Sequence, residues 1–202
     1  WRYRDAAVLA FGSIFDGPDK NKLAEAFRQA FDIIIELMFD THPIVRNSAA
    51  WTLGRVCDVS PNVFNEQSLP KLMQALIKGL EDEYAHTANH MCWSIHNLAQ
   101  AVAGVSANGG GPLAPYFKEL LIALIKTTNR SDVQEGNLLL SSWEAINVLV
   151  HTAESNNVYL IELLPELMQR INTILKMPVS HPEQRTIHLE IMGLICGTLQ
   201  AL

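Results

Sequence analysis

A helical repeat constrains the fold of this chain more than any other feature. In the segment RNSAAWTLGRVC, which begins at Arg46, three apolar residues follow the i, i+4, i+7 spacing of an amphipathic helix: Ala49, Leu53 and Val56. Trp51 lies about 200° around the helix from Ala49, and Asn47 lies one turn before Trp51 on the same outward side. The outward side of this helix is therefore patterned as well as its apolar stripe.

A second copy of this helix follows about 42 residues later, with Asn89 and Trp93 repeating the Asn-xxx-Trp pair. The apolar stripe of this second copy is formed by Met91, Ile95 and Leu98. Three more stripes of the same kind are predicted elsewhere in the chain: Ala7, Phe11 and Ile14; Ser142, Ile146 and Leu149; and Met192, Cys196 and Leu199. Repeats of about 42 to 50 residues with two helices each are typical of HEAT arrays. The sequence predicts an all-α fold, a HEAT-repeat α-solenoid in which antiparallel helix pairs form a right-handed superhelix.

We expect a single array over residues 1–202, with about four and a half repeats. Residues 1–15 are predicted to be the second helix of a truncated repeat whose partner helix lies upstream. The complete repeats are predicted at 21–60, 66–103, 113–153 and 159–202. The Gly-rich stretch 104–112 is expected to be a flexible surface loop.

The composition excludes several classes of protein. The net charge of −6 argues against a nucleic-acid groove and favours a basic partner. No run of apolar residues is long enough to span a membrane. Cys57, Cys92 and Cys196 fall within helical patterns without disulfide-framework spacing, so we expect buried free thiols in a reducing compartment.

Signals for catalysis or metal binding are weak. His86 and His90 have the i, i+4 spacing of some zinc ligands, but the segment lacks the glutamate of a zincin motif and a third ligand. No nucleotide-binding motif or nucleophile elbow is present. We expect no enzyme activity, no cofactor and no metal.

The outward side of the second helices has the composition of an interaction surface. Its candidate binding residues are Asp5, Asn47, Trp51, Asn89, Trp93, Glu144 and Glu190. Tryptophan can stack on a lysine or arginine side chain, and asparagine can hold a bound backbone through its amide. In the alternative, Trp51 and Trp93 pack against the neighbouring repeat, because solenoid helices are often buried on more than one side.

Three segments, RYRDAAVLAFGSIF, VRNSAAWTLGRVCDVSP and ANHMCWSIHNLAQA, resemble the middle HEAT repeats of the importin-β family of nuclear import karyopherins. The resemblance implies a receptor of the cytoplasm, the nucleus and the nuclear pore that binds the basic importin-β-binding helix of importin-α, or a basic cargo. Trp51 and Trp93 match family tryptophans on the inner face, and Asn89 and Glu144 match polar positions beside them. Asn47 stands where the family often has Asp.

The resemblance also implies two further partners of the full-length receptor. Ran-GTP is bound mostly by repeats nearer the N-terminus, and Phe-Gly nucleoporins are bound between neighbouring first helices. No such nucleoporin pocket can be placed from the sequence. A different class stays open, namely a HEAT scaffold subunit such as a phosphatase regulatory subunit. Such a scaffold would share the helices but would have no need for a row of tryptophans and acids.

Overall fold

The helices alternate between two layers along the chain. The computed structural model describes residues 1–17, 19–102, 111–153, 158–178 and 182–201. The second helices of the repeats are α1 (Arg2–Ser13), α3 (Pro43–Val59), α5 (Ala85–Val102), α7 (Leu138–His151) and α9 (Pro182–Ala201). The first helices are α2 (Lys20–Leu37), α4 (Leu69–Gly79), α6 (Phe117–Thr127) and α8 (Val158–Leu175). Together with the absence of strands from the described residues, this confirms the predicted all-α HEAT-repeat solenoid.

Neighbouring second helices pack side by side, with α3 between α1 and α5, and α7 between α5 and α9. The first helices α2, α4 and α6 each pack against the second helix of their own repeat, namely α3, α5 and α7, and α8 packs beside α6. Pro43 opens α3 at its first position, where the fixed φ of proline suits a helix and its missing N–H costs nothing. His42 before it is extended, as the residue preceding a proline prefers.

The core lies between the two layers. The predicted stripes of α3, α5 and α7 are all buried, with between 0% and 3% of each residue exposed: Ala49, Leu53, Val56, Met91, Ile95, Leu98, Ser142, Ile146 and Leu149. Burying each large aliphatic side chain contributes about 1.5–3 kcal/mol to the free energy of unfolding. The stripe prediction is therefore confirmed for the three central second helices.

The stripe prediction is wrong for α1. Ala7 and Ile14 are exposed and Phe11 is only partly buried, whereas Val8 and Gly12 are buried. The reason is that this chain supplies α1 with one neighbouring second helix, α3, and no first helix of its own. The residues that face α3 are buried, and those that would face a first helix are not.

The stripe prediction is also wrong for α9, by one residue. The buried side chains are Ile191, Ile195 and Thr198, each one position before the predicted Met192, Cys196 and Leu199. A shift of one residue turns a helix by about 100°, so Cys196 is exposed and its expected burial is corrected. Cys57 and Cys92 are buried free thiols as predicted, and burial raises the pKa of Cys92 to about 12.

Arginine side chains close the C-terminal ends of three first helices. Each donates to a backbone oxygen there: Arg46 to Asp40 at 3.1 Å, Arg130 to Leu80 at 2.8 Å, and Arg170 to Thr128. A cation at this end also complements the helix dipole. The Arg46 bond joins α3 to the end of α2 within one repeat, whereas the Arg130 and Arg170 bonds tie the ends of α4 and α6 to the repeat that follows.

Most of the predicted Gly-rich loop 104–112, namely residues 104–110, lies outside the described residues. After it, Ala114 donates its N–H to the carbonyl of Gly111 at 2.9 Å and starts the turn that leads into α6. Among the described helices, none has the length and apolar content needed to cross a membrane.

Candidate functional site

Each of the two repeated tryptophans packs on a glycine of the preceding second helix. A Cβ atom placed on Gly12 of α1 would lie 2.6 Å from Cζ3 of Trp51, and one placed on Gly54 of α3 would lie 2.5 Å from Cε3 of Trp93. Non-bonded carbon atoms are most stable about 3.5–4.0 Å apart, so no larger residue fits without movement. The two glycines thus allow the indole rings to approach the backbone of the neighbouring helix.

Both tryptophans are half-buried. One ring edge of each contacts the neighbouring repeat, as the packing alternative expected, and part of each side chain stays accessible. Trp93 also has the ring of His90 nearby, with 6.5 Å between the ring centroids. An indole held in this way is both a packing element and an accessible surface.

Asn47 and Asn89, one turn before the tryptophans, share an unusual feature. Each side chain is half-buried, and its amide oxygen is buried without a hydrogen-bond partner among the described residues. An unpaired buried acceptor costs about 1–3 kcal/mol. The same unmet acceptor therefore occurs at equivalent positions of two repeats.

Asp5 on α1 is half-buried and already has a partner. Its Oδ1 accepts a hydrogen bond from the Ser48 hydroxyl of α3 at 2.6 Å. This bond joins two second helices, so the Asp5 carboxylate supports the packing of α1 on α3.

Glu144 of α7 has charged neighbours on both adjacent second helices. Burial raises the pKa of this half-buried carboxyl, the charge of His96 on α5 lowers it, and Glu190 on α9 raises it. The ring Nδ1 of His96 lies 3.5 Å from the backbone oxygen of Glu144. Glu190 itself is exposed. The charge of Glu190 is thus near enough to raise the pKa of Glu144, as the smallest of the three causes, and two such like charges favour a cationic group near them.

The two histidines with zinc-like spacing lie in different surroundings. His86 is exposed and contacts Gly136, while His90 is half-buried. Burial, and to a smaller extent the charge of His86, lowers the pKa of His90 to about 4. In the part of the chain that the structure describes, no three His, Cys, Asp or Glu side chains form a metal site.

Sequence reasoning missed Gly12 and Gly54. The signal was present, since each glycine precedes its tryptophan at the same spacing in consecutive repeats. A helix-interior glycine with such a repeated spacing indicates a close approach between helices.

A groove of about 260 Å³ lies between α2 and the start of α4, where residues 63–68 before α4 form most of the wall opposite α2. The sequence did not reveal this location. Its floor is aromatic, because Phe64 makes edge contacts with Phe27 and Phe31 at centroid distances of 5.6 and 6.1 Å. Arg28 and Lys71 are among the polar residues that line it. The groove can accept a small apolar group beside charged side chains.

Comparison with known proteins gives the same family along the whole chain. Residues 71–202 match the model of importin subunit beta-1-like TPR repeats, and residues 1–56 match a HEAT-like repeat. Importin subunit beta-1 of Saccharomyces cerevisiae is 36% identical over 154 residues, a match that covers 76% of this chain and 17% of that protein.

Solved structures agree with the sequence matches. Kap95 in its complex with Nup1 has a TM-score of 0.84 and 27% identity, covering 100% of this chain and 24% of that one. Kap95p in the structure with RanGDP has a TM-score of 0.83 and 29% identity, covering 100% of this chain and 23% of that one. The chain therefore spans less than a quarter of the length of these proteins. Since the importin subunit beta-1-like model matches more than half of its residues, the chain belongs to the importin-β family.

Proposed function

We propose that this chain is the part of a nuclear import receptor whose concave face binds the basic importin-β-binding helix of importin-α, or a basic cargo. The observation that carries the proposal is the row of side chains on successive second helices. Trp51 and Trp93 are held half-buried on glycines, and the acidic pair Glu144 and Glu190 continues the row on α7 and α9.

The chemistry of this row suits a cationic helix. An accessible indole can stack on the stem or the head of a lysine or arginine, worth about 0.5–2 kcal/mol for each contact. The two glutamates repel each other less when a cation lies between them. The net charge of −6 adds a general attraction for a basic ligand.

The test is a titration of the full-length receptor with a peptide of the importin-β-binding helix. Trp51→Ala and Trp93→Ala should each weaken binding by about 1–3 kcal/mol, the range of aromatic hot spots. Phe39→Ala is a matched control, since Phe39 is an exposed aromatic residue just after α2 that contacts Lys78. If both tryptophan variants fold normally and bind as tightly as the parent, the proposed site is wrong.

We propose a second function for the groove between α2 and α4, namely binding the phenylalanine of a Phe-Gly nucleoporin repeat. Its aromatic floor supports this proposal, as does the solved complex of Kap95 with Nup1. Phe64→Ala should weaken binding of a Phe-Gly peptide and leave binding of the importin-β-binding peptide unchanged. Circular dichroism checks that the variant stays folded, and equal loss for both peptides would contradict a separate site.

In the full-length receptor we propose Ran-GTP as a further partner, supported by the similarity to Kap95p in its structure with RanGDP. A receptor with these partners would move between the cytoplasm and the nucleus through the pores of the nuclear envelope. Membership of the importin-β family favours this transport function over the alternative of a phosphatase-type scaffold.

A further inference from the structure

We infer that Gly12 and Gly54 are positioning residues for the binding face, because each sets the place of the tryptophan on the next second helix. The inference rests on the proposed function of Trp51 and Trp93. It adds a role for two residues that would not themselves touch the ligand.

The same contact is built twice. A Cβ on Gly12 would lie 2.6 Å from Cζ3 of Trp51 and 2.5 Å from Oγ1 of Thr52. A Cβ on Gly54 would lie 2.5 and 2.7 Å from Cε3 and Cζ3 of Trp93, and 3.2 Å from Oγ of the following serine. In both repeats the glycine therefore meets the six-membered ring of a tryptophan and the hydroxyl side chain that follows it.

The edge of the indole ring that contacts the glycine determines the orientation of the ring. Cε3 and Cζ3 lie on the side of the indole away from Nε1, so the glycine contact turns the N–H edge away from the preceding helix. A ring that is packed at one edge also loses little further freedom when a ligand stacks on it, and such preorganisation favours affinity.

Comparison of repeats within the chain supports the coupling of glycine to tryptophan. Between α5 and α7, the position equivalent to Gly54 is occupied by His96, and the position equivalent to Trp93 is occupied by Glu144. There the ring of His96 lies beside the backbone of Glu144. In this third interface both the glycine and the tryptophan are absent, as expected if the indole needs the space that only glycine leaves.

Gly54→Ala is the sharper test of the two glycines. At Gly12 an added methyl group would also meet Thr52, whose hydroxyl donates to the carbonyl of Val8 at 2.9 Å, so that change would disturb helix packing directly. At Gly54 the closest atoms belong to the Trp93 ring, which can turn. Alanine also has a higher helix propensity than glycine, so α3 should remain helical.

The experiment compares Gly54→Ala, Trp93→Ala and the double variant in the full-length receptor, titrated with the importin-β-binding peptide. We expect Gly54→Ala to weaken binding about threefold to tenfold, less than removal of the hot-spot ring itself. The same change should have no effect when Trp93 is already alanine, because its effect runs through the ring. A ¹⁹F resonance of 5-fluorotryptophan, assigned through Trp93→Phe, should shift in Gly54→Ala.

Gly193→Ala controls for helix propensity, because nothing lies within 4 Å of the Cβ that it adds to α9. Should Gly54→Ala fail to fold, Gly54→Ala combined with Trp93→Phe gives the methyl group more room. That double variant should fold and bind within about twofold of Trp93→Phe alone.

Three results would overturn the inference. The first is that Gly54→Ala binds the peptide with parental affinity. The second is that Gly54→Ala weakens binding as much when Trp93 is already alanine as it does in the parent. The third is that Gly54→Ala weakens binding further when it is added to Trp93→Phe. If Trp93→Ala itself binds like the parent, the proposed function of this site fails as well. If Trp93→Ala weakens binding but Gly54→Ala binds with parental affinity, only the positioning role of the glycine is contradicted.

Discussion

Arg46 of α3 and Asp82 of the turn between α4 and α5 form a two-point ion pair that joins consecutive repeats. Nε donates to Oδ2 at 2.6 Å and Nη2 donates to Oδ1 at 3.1 Å, while the two side chains are only 12% and 8% exposed. Oδ1 also accepts the N–H of Tyr84 at 2.8 Å. Arg4 and Asp40 form the same pair one repeat earlier, at 2.6 and 3.0 Å. The pair is therefore a repeated link of the array.

Replacing Asp82 should expose the cost of leaving Arg46 without its main partner. Asp82→Asn should lower the free energy of unfolding by about 1–3 kcal/mol, because a largely buried guanidinium loses a charge-assisted bond. Glu83→Gln is the matched control, since Glu83 contacts the same arginine at 3.2 Å but is 85% exposed, and should cost about 0.5 kcal/mol or less. Urea denaturation measures both, and equal losses would contradict the importance of burial.

The sequence alone predicted which residues occupy equivalent positions in different repeats. It predicted less well which of those residues contact one another. Arg4 matches Arg46 and Asp40 matches Asp82 by the repeat period, yet their pairing depends on how each turn approaches the next helix. The stripes of the central helices were predictable because those helices have neighbours on both sides. For α9 the predicted stripe was wrong by one residue, because the packing against α7 decides which side of that helix is buried.

The candidate site shows the same limit. Helical periodicity placed Trp51 and Trp93 opposite the apolar stripe, which agrees with their partial exposure. It could not show that Gly12 and Gly54 lie beneath the rings, because periodicity gives the side of a helix and not the distance to the next one. Nor could it show that the amide oxygen of Asn47 is buried.

Leu53 and Trp51, two residues apart on α3, should differ in their effect on stability. Leu53 is 0% exposed, so Leu53→Ala should cost about 2–5 kcal/mol through the cavity that it leaves. Trp51→Ala should cost less, about 1–2 kcal/mol, because the ring is half-buried and packs through one edge. Thermal or urea unfolding compares the two variants. If Trp51→Ala costs as much as Leu53→Ala, Trp51 belongs to the core.

His90 should make the fold sensitive to mild acid. Its pKa is about 4 in the folded protein, below the ordinary 6.5, so the unfolded chain binds the proton first as the pH falls. Neutral His90 therefore makes its full contribution to the free energy of unfolding above pH 6.5. Between pH 6.5 and pH 4 this free energy should fall by about 2–3 kcal/mol. His90→Gln should flatten the curve of unfolding free energy in this window.

His86→Gln serves as the control for that measurement. The charge of His86 is the smaller cause of the lowered pKa of His90, and burial is the larger one. Most of the pH dependence should therefore persist in His86→Gln. A parental slope in His90→Gln would mean that another group titrates in this range.

Glu144 and Trp93 should contribute to binding of a basic helix in different ways. Glu144→Gln removes a charge next to Glu190, so it should mainly slow association with the importin-β-binding peptide, and this effect should shrink as salt is raised. Trp93→Ala should mainly speed dissociation, with little dependence on salt. The matched control is Glu166→Gln, which removes the same charge from an exposed position on the first helix α8. Stopped-flow measurements on the full-length receptor at low and high salt separate the two effects. Equal slowing of association by Glu144→Gln and Glu166→Gln would show that only net charge matters, and the glutamate pair would then have no specific role in binding.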